Sequence, residues 1–148
     1  MAAPPDAVFR VVCALGGDGG WLAGNALWRL RGWIDRRLGG PGMRGRPGDR
    51  DPSGTVAVGD VIDVWRVDAV DSPRRLRLRA EMRVPGDAWL EFFAEPDGTG
   101  TRFIQVARFA PAGLFGHLYW YAMVPAHLLL FPAMARAIAA RAISLGAP

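Results

Sequence analysis

The sequence predicts a single α+β domain in which a curved antiparallel sheet wraps around a long C-terminal helix. Four strand-like segments separated by short turn sequences occupy residues 61–110. Residues 109–135 then form an uncharged stretch of 27 residues that continues into a charged helical end. The length of 148 residues and the 51% of hydrophobic residues suit one domain, residues 1–148, with a packed core.

Two helices are predicted before the sheet. Pro4-Pro5 begins a short helix that ends before Gly16, and residues 21–38 form a second helix closed by Gly39-Gly40. Trp21 and Trp28 lie outside the main apolar stripe of the second helix, which indicates a second apolar contact. Residues 39–55 are rich in glycine, proline and arginine without periodicity, which predicts a loop. The stripe expected to face the core consists of Ala23, Leu27, Leu30, Ile34 and Leu38.

The middle of the chain predicts an antiparallel meander. Short connectors such as Pro85-Gly86-Asp87 suit hairpins. The second strand alternates leucine with arginine, so one face of the sheet should meet water, whereas the last two strands are apolar on both faces and should lie further inside. The predicted strands are Val61 to Val70, Leu76 to Val84, Ala88 to Glu95 and Thr101 to Ala110.

The uncharged stretch predicts a C-terminal helix over about 113–143. Its length also meets the criterion for a transmembrane helix. A regular apolar stripe that runs on past Arg136 favours a helix packed on the sheet, with Pro125 and Pro132 starting or kinking it. Leu129 and Leu130 lie off that stripe and could mark a partner, a dimer contact or a membrane surface. The stripe consists of Leu114, His117, Tyr121, Val124, Leu128, Phe131, Ala135, Ile138 and Ala142.

Charge and cysteine content narrow the classes of function. All 18 basic residues are arginine and the net charge is +4, but no element combines clustered charge with interleaved aromatics, so we expect an arginine-rich solvated face and no nucleic-acid partner. Cys13 is the single cysteine, in an apolar segment, which predicts buried filler and a reducing cytoplasm. Residues 1–6 show no basic region followed by a hydrophobic run, so we expect no secretory signal there.

The order of the elements resembles the helix-grip fold of the START-like (SRPBCC) superfamily of birch-allergen and polyketide-cyclase-like proteins. Residues 3–9 resemble the superfamily's entry into its first helices, and residues 98–102 resemble its hairpin between late strands. Tryptophan-centred segments look like an uncharacterised bacterial family often attached to the C-terminal side of short-chain-dehydrogenase-like NAD-binding domains. Those segments are Gly19-Gly20-Trp21, Leu27 to Gly32, Val58-Gly59-Asp60, Trp65-Arg66-Val67, Leu78 to Met82, Pro85 to Phe92 and Leu118 to Tyr121.

The chain departs from these relatives in two ways. The superfamily normally opens with a strand, and here only Met1-Ala2-Ala3 precede the first helix, so that strand is missing or the start is misassigned. The NAD-binding domain is absent, and no Gly-x-Gly-x-x-Gly stands between a strand and a helix, so we expect no dinucleotide and no other cofactor.

A few residues are candidates for a general acid or base. Glu81 and Glu91 occupy corresponding places in adjacent predicted strands and could share a site, although Glu81 could instead pair with the arginine face. His117 is expected over the pocket, Asp63 is a further carboxylate, and His127 projects to the edge of the stripe. The two histidines do not have the spacing of a metal site, so we expect no metal.

Aromatic side chains with one polar atom suit a pocket that is mostly apolar. The leading hypothesis is a protein that binds a hydrophobic small molecule between sheet and C-terminal helix. The alternatives are a cyclase or dehydratase acting on a polyketide-like substrate, or an accessory domain that docks on a short-chain reductase through Trp21 and Trp28. The expected ligand-binding residues are Trp28, Trp65, Met82, Trp89, Phe92, Trp120, Tyr121 and Leu128.

Overall fold

A computed structural model describes residues 1–45 and 55–146. The described chain forms three α-helices and one five-stranded antiparallel sheet with the strand order β1-β2-β3-β4-β5, which confirms the predicted α+β class and the meander. The helices are α1 Pro5–Cys13, α2 Asn25–Arg37 and α3 Gly113–Gly146, and the strands are β1 Val61–Ile62, β2 Trp65–Asp71, β3 Arg75–Ala80, β4 Gly86–Asp97 and β5 Gly100–Pro111. The predicted loop 39–55 lies partly outside the described residues, at 46–54.

The hairpin between β4 and β5 is the longest in the sheet. Its register runs from the pair Gly86 and Pro111 to the pair Asp97 and Gly100, which leaves Gly98 and Thr99 as a two-residue turn. Gly98 has a φ of 59°, the left-handed conformation that the first central position of such a turn requires. The first predicted strand is wrong as a single strand because the chain turns at Asp63, whose φ of 54° interrupts the extended backbone.

The core lies between α1, the inner face of the sheet and the C-terminal half of α3. Leu76, Leu78 and Leu90 are buried on the sheet, and Met134 and Ile138 are buried on α3. The contacts of α3 run mainly to α1 and β5. This is a helix-grip arrangement in which only the C-terminal half of the helix is tightly held, so the other half is left to border a cavity.

The predicted stripe of α3 is wrong towards the N-terminal end. Its alternating steps of three and four residues average about 3.5 residues per turn, and against the 3.6 of an α-helix such a stripe rotates by about 20° per heptad. Between Ala142 and Leu114 the drift reaches about 80°. Ile138 and Ala142 are accordingly buried, whereas Leu114 and Tyr121 are 73% and 70% exposed.

The predicted stripe of α2 is also wrong. Trp21 and Trp28 are buried, while Leu27, Leu30, Ile34 and Leu38 remain exposed. Trp28 packs against Trp21 and Trp65 in a buried aromatic cluster, so α2 turns its Trp28 side to the core. Docking on a reductase through Trp21 and Trp28 is therefore not available in this fold.

The helix α3 is long and apolar enough to cross a membrane by length and composition. The mean hydropathy of its most apolar 18-residue window is 1.6, and only 17% of that window is buried. Its outward face in the N-terminal half carries no charged side chain. The large exposed apolar side chains there are Leu114, Phe115, Leu118, Tyr121, Leu128 and Leu129.

Candidate ligand cavity

A cavity of about 270 Å³ opens between α2, the sheet and the N-terminal half of α3. Its lining is almost entirely apolar. The wall from α2 includes Leu27, Leu30 and Ile34, the residues whose stripe was expected to face the core. The turn of α2 towards its tryptophan side therefore creates the cavity, because it leaves the leucine side facing an unfilled space. The other lining residues are Trp28, Arg31, Trp65, Met82, Val84, Ala88, Trp89, Leu90, Ala107, Arg108, Phe109, Tyr119, Trp120, Met123, Ala126, His127, Leu130 and Phe131.

Trp28 and Trp65 line one end of the cavity and pack with the buried Trp21 in one cluster. The rings of Trp21 and Trp28 stack with centroids 4.8 Å apart, and Trp65 lies 6.2 Å from each. The indole N–H of Trp21 donates to Oδ2 of Asp63 at 2.9 Å. Backbone N–H groups of Gly17 and Gly45 donate to the same carboxylate. These hydrogen bonds fix the orientation of the tryptophan cluster against which α2 packs.

Aromatic side chains from β5 and α3 form the opposite wall. The rings of Phe109 and Trp120 stack with centroids 5.6 Å apart, and Tyr119 lies 5.7 Å from the same phenylalanine. His127 lies between Trp120 and Phe131, with centroids 5.7 and 4.9 Å away. Burial lowers the pKa of His127 below its usual range, so its imidazole is neutral near pH 7. The wall is thus mostly apolar, and its side-chain polar atoms belong to the uncharged rings of Tyr119, Trp120 and His127.

A second, shallower hollow lies on the other flank of α3, beside β5. Trp120, His127 and Phe131 line both hollows, so these three rings form the partition between them. Leu128, expected in the ligand pocket, lines only this second hollow and is 70% exposed.

Glu81 and Glu91 lie in separate ion-pair clusters, and neither lines the main cavity. Glu81 accepts hydrogen bonds from Arg44 and Arg66, which hold its pKa below the usual range, with the Arg66 bond contributing most. Glu91 is buried on the outer side of β4 and pairs with guanidinium groups of neighbouring strands. The expected shared carboxylate site is therefore wrong, because each carboxylate is neutralised by its own arginines.

His117 does not lie over the cavity. It is exposed at the start of α3, where Nδ1 is 2.9 Å from the carbonyl oxygen of Gly113. The drift of the predicted stripe explains this error as well. Asp63, a further candidate acid, accepts the hydrogen bond from the Trp21 indole in the tryptophan cluster.

Five of the eight expected ligand-binding residues line the main cavity: Trp28, Trp65, Met82, Trp89 and Trp120. Phe92 instead packs in the core against Phe103, and Tyr121 points to solvent. The sequence did not predict that Arg31, Arg108, Phe109 and Met123 would be among the lining residues. Tyr121 was placed on the wrong face of α3 because the predicted stripe rotates around the helix. Arg31 and Arg108 have no local sequence pattern that distinguishes them from the other sixteen arginines.

Metal chemistry has no support within residues 1–45 and 55–146. No group of three His, Cys, Asp or Glu side chains there could hold an ion.

Comparison with known proteins assigns the family. The family described as a protein of unknown function, DUF2867, matches residues 1–134. The chain belongs to this family. The DUF2867 match ends within α3, at Met134, and so covers the whole sheet and every residue that lines the cavity.

A solved structure that resembles this DUF2867 chain is CalU16 from Micromonospora echinospora. The two chains share 15% sequence identity with a TM-score of 0.42, over 97% of this chain and 80% of CalU16. No curated protein matches the sequence.

Proposed function

We propose that this protein binds a hydrophobic small molecule in the cavity between α2, the sheet and α3. The observation that carries the proposal is the apolar cavity of about 270 Å³ itself. Pockets for small molecules typically measure about 300–1,000 Å³ and are lined mainly by hydrophobic and aromatic side chains. The size suits a compact ligand, such as a short acyl chain or one or two fused rings.

The exposure of α2 supports the same proposal. Leu27 and Leu30 are 51% and 52% exposed although both line the cavity. A ligand seated there would cover these leucines, and burial of apolar surface is worth about 25 cal/mol per Å². Met82 and Met123 on the walls have flexible side chains that can adapt to ligands of different shape.

A cavity-filling variant tests the proposal. Ala126 on α3 lines the cavity, whereas Ala122, one turn earlier, is exposed and does not line it. The neutral fluorescent probe N-phenyl-1-naphthylamine should bind the wild type saturably. Ala126→Trp should weaken this binding about tenfold or more because the new indole occupies the space, and Ala122→Trp should leave it unchanged.

Two outcomes would contradict the proposal. One is the absence of saturable binding to the folded wild type. The other is equal affinity of the wild type and of a folded Ala126→Trp variant, which would place the probe elsewhere.

A second candidate function is acid–base catalysis on a polyketide-like substrate, as a cyclase or dehydratase. One observation favours it: His127 is neutral in the cavity and can accept a proton near neutral pH. A synthetic β-polyketone thioester incubated with the protein should then lose water or cyclise, as followed by mass spectrometry, and His127→Phe should abolish this. Equal turnover by a folded His127→Phe variant would remove the candidate.

Attachment to a short-chain-dehydrogenase-like domain stays a prediction. Co-purification with a reductase encoded next to this chain would support it, and separate elution of the two proteins at micromolar concentration would count against it.

A further inference from the structure

The outward face of the N-terminal half of α3 is an uncharged apolar surface that no described residue covers. Together its large side chains present on the order of 600 Å² of mostly apolar surface, as much as the largest apolar patch of a typical soluble monomer. A surface of this kind marks a site for a protein partner or a membrane. The side chains, between 57% and 80% exposed, are Leu114, Phe115, Leu118, Tyr121, Leu128 and Leu129.

The charged side chains of β5 and α3 are all arginines. Residues 100–146, which include both elements, contain four arginines and no aspartate or glutamate. Pro125, Leu129, Pro132 and Arg136 are exposed and follow one another at steps of four, three and four residues. Arg136 therefore continues the outward face just beyond its uncharged part. The face and its charged end together complement an apolar surface that carries negative charge at its edge.

The opposite side of α3 keeps the helix along the domain. The ring of Trp120 stacks on that of Phe109 with centroids 5.6 Å apart, and Met134 and Ile138 are fully buried in the core. If α3 crossed a bilayer, it would have to give up these contacts. The outward face is instead suited to lie in the plane of a membrane surface, where such helices enter about 5–10 Å into the boundary between head groups and acyl chains.

A second copy of the chain fits this face less well than a membrane does. A two-fold contact brings the same surface of both copies together. Here that surface ends in Arg136 and has no carboxylate, so neither copy offers a negative partner to the arginine of the other. Anionic lipids supply that negative charge, and their acyl chains cover the apolar side chains.

We propose that the outward face of α3 docks this protein on an anionic membrane surface. The apolar side chains enter the boundary between head groups and acyl chains, and Arg136 lies against the anionic head groups. This surface is on the opposite side of α3 from the cavity, so the inference does not rest on the proposed function.

Flotation with lipid vesicles in detergent-free buffer tests the inference. We expect the wild type to bind saturably to vesicles of phosphatidylcholine that contain about one quarter phosphatidylglycerol. Binding to pure phosphatidylcholine should be about fivefold weaker, because one arginine near an anionic surface contributes about 1 kcal/mol. Added salt should reduce this difference.

Matched variants localise the contact. Leu129→Ser should weaken binding to both kinds of vesicle about tenfold, because a leucine that enters the lipid is lost. Leu38→Ser, at a 62% exposed position just after α2, should leave binding unchanged. Arg136→Gln should remove most of the preference for anionic vesicles, whereas Arg79→Gln, exposed on the outer face of β3, should keep it.

A fluorescent label gives a second measurement that needs no loss of binding. Cys13 is buried, so Leu118→Cys can be labelled selectively with a nitrobenzoxadiazole dye. The emission of this dye should increase and shift to the blue when anionic vesicles are added. The same label on Leu38→Cys should not respond.

Four outcomes would overturn the inference. They are no flotation of the folded wild type with anionic vesicles, equal binding to both kinds of vesicle at low salt, equal losses in Leu129→Ser and Leu38→Ser, and a dimer in analytical ultracentrifugation that Leu129→Ser abolishes while vesicles are not bound. The last result would assign the face to a second copy. If Leu129→Ser does not fold, the comparison of the two labelled variants decides.

Discussion

The carboxylate of Asp63 joins three segments of the chain. Its Oδ2 accepts hydrogen bonds from the Trp21 indole at 2.9 Å and the Gly17 backbone at 3.1 Å, and its Oδ1 accepts one from the Gly45 backbone at 3.1 Å. Asp63 also adopts the left-handed conformation at the turn between β1 and β2, which aspartate tolerates better than most residues. One side chain thus ties the loop before α2, the loop after it and the sheet.

Removal of the Asp63 carboxylate should destabilise the fold. Asp63→Ala leaves three donors without an acceptor, and we expect a loss of about 3 kcal/mol in the free energy of unfolding, measured by urea titration. Asp63→Asn keeps one oxygen and should cost about half as much. Asp18→Ala, at an exposed position of the short 3₁₀ turn Gly17–Gly19, should stay within about 0.5 kcal/mol of the wild type. An Asp63→Ala variant with the same free energy of unfolding as the wild type would contradict the role assigned to this network.

Glu81 should contribute to acid sensitivity. Its pKa is lowered in the folded protein, chiefly by the hydrogen bond from Arg66, so its contribution to stability is fully present above the unfolded-state pKa near 4.5 and is lost as the pH falls through the lower folded-state value. The difference in unfolding free energy between wild type and Glu81→Gln should be constant above about pH 5.5 and shrink below pH 4.5. A difference that grows towards low pH would have the wrong sign.

At the scale of elements, the sequence predicted which helices and strands form but not how the helices are rotated. The meander could be predicted from turn residues such as Asp97-Gly98 and from the alternation in β3, because both depend on local chemistry. The face that α2 buries depends on Trp65 from a strand almost 40 residues away, and no local periodicity contains that information. The same limitation explains why Leu27 and Leu30 were expected in the core and line the cavity.

The first turn of α3 approaches the connection before β4 very closely. A Cβ placed on Gly116 would lie 2.5 Å from the carbonyl oxygen of Pro85 and 2.8 Å from Cβ of Pro111. This contact sets the angle at which α3 leaves β5, and hence the width of the cavity that the helix borders.

Gly116→Ala should destabilise the protein although alanine is the better helix former. Helix propensity alone would stabilise this change by about 1 kcal/mol, but the clash with rigid backbone should give a net loss of about 1–3 kcal/mol. Thermal and urea unfolding measure the sign. Ala122→Gly, at an exposed position of the same helix, is the control and should lose about 1 kcal/mol from propensity. A stabilised Gly116→Ala would contradict the close approach.

At the scale of the whole molecule, α3 has two different halves. The C-terminal half is held by α1 through Met134, Ile138 and Ala142, whereas the N-terminal half borders the cavity on one side and exposes an uncharged apolar face on the other. A helix that is apolar on all sides is normally covered. The expected contacts of this face with a second copy, a reductase domain or a membrane surface stay predictions, as does the cytoplasmic localisation.

About two thirds of the expected ligand-binding residues line the cavity, and the reason is physical. Trp65 on β2 could be placed on the inner face because strand alternation is strict. Residues on α3 could not, because a small error in helical period accumulates along 34 residues. Trp120 lines the cavity, while Tyr121 next to it faces solvent.

The claim on which the cavity depends is that the uncharged N-terminal half of α3 folds back along the sheet. The ring centroids of Phe109 on β5 and Trp120 on α3 lie 5.6 Å apart, so their aromatic protons should give a nuclear Overhauser effect in detergent-free buffer. We expect this cross-peak in a monodisperse sample. Its absence from the assigned spectrum of the folded protein, or its appearance only when detergent is added, would contradict the account.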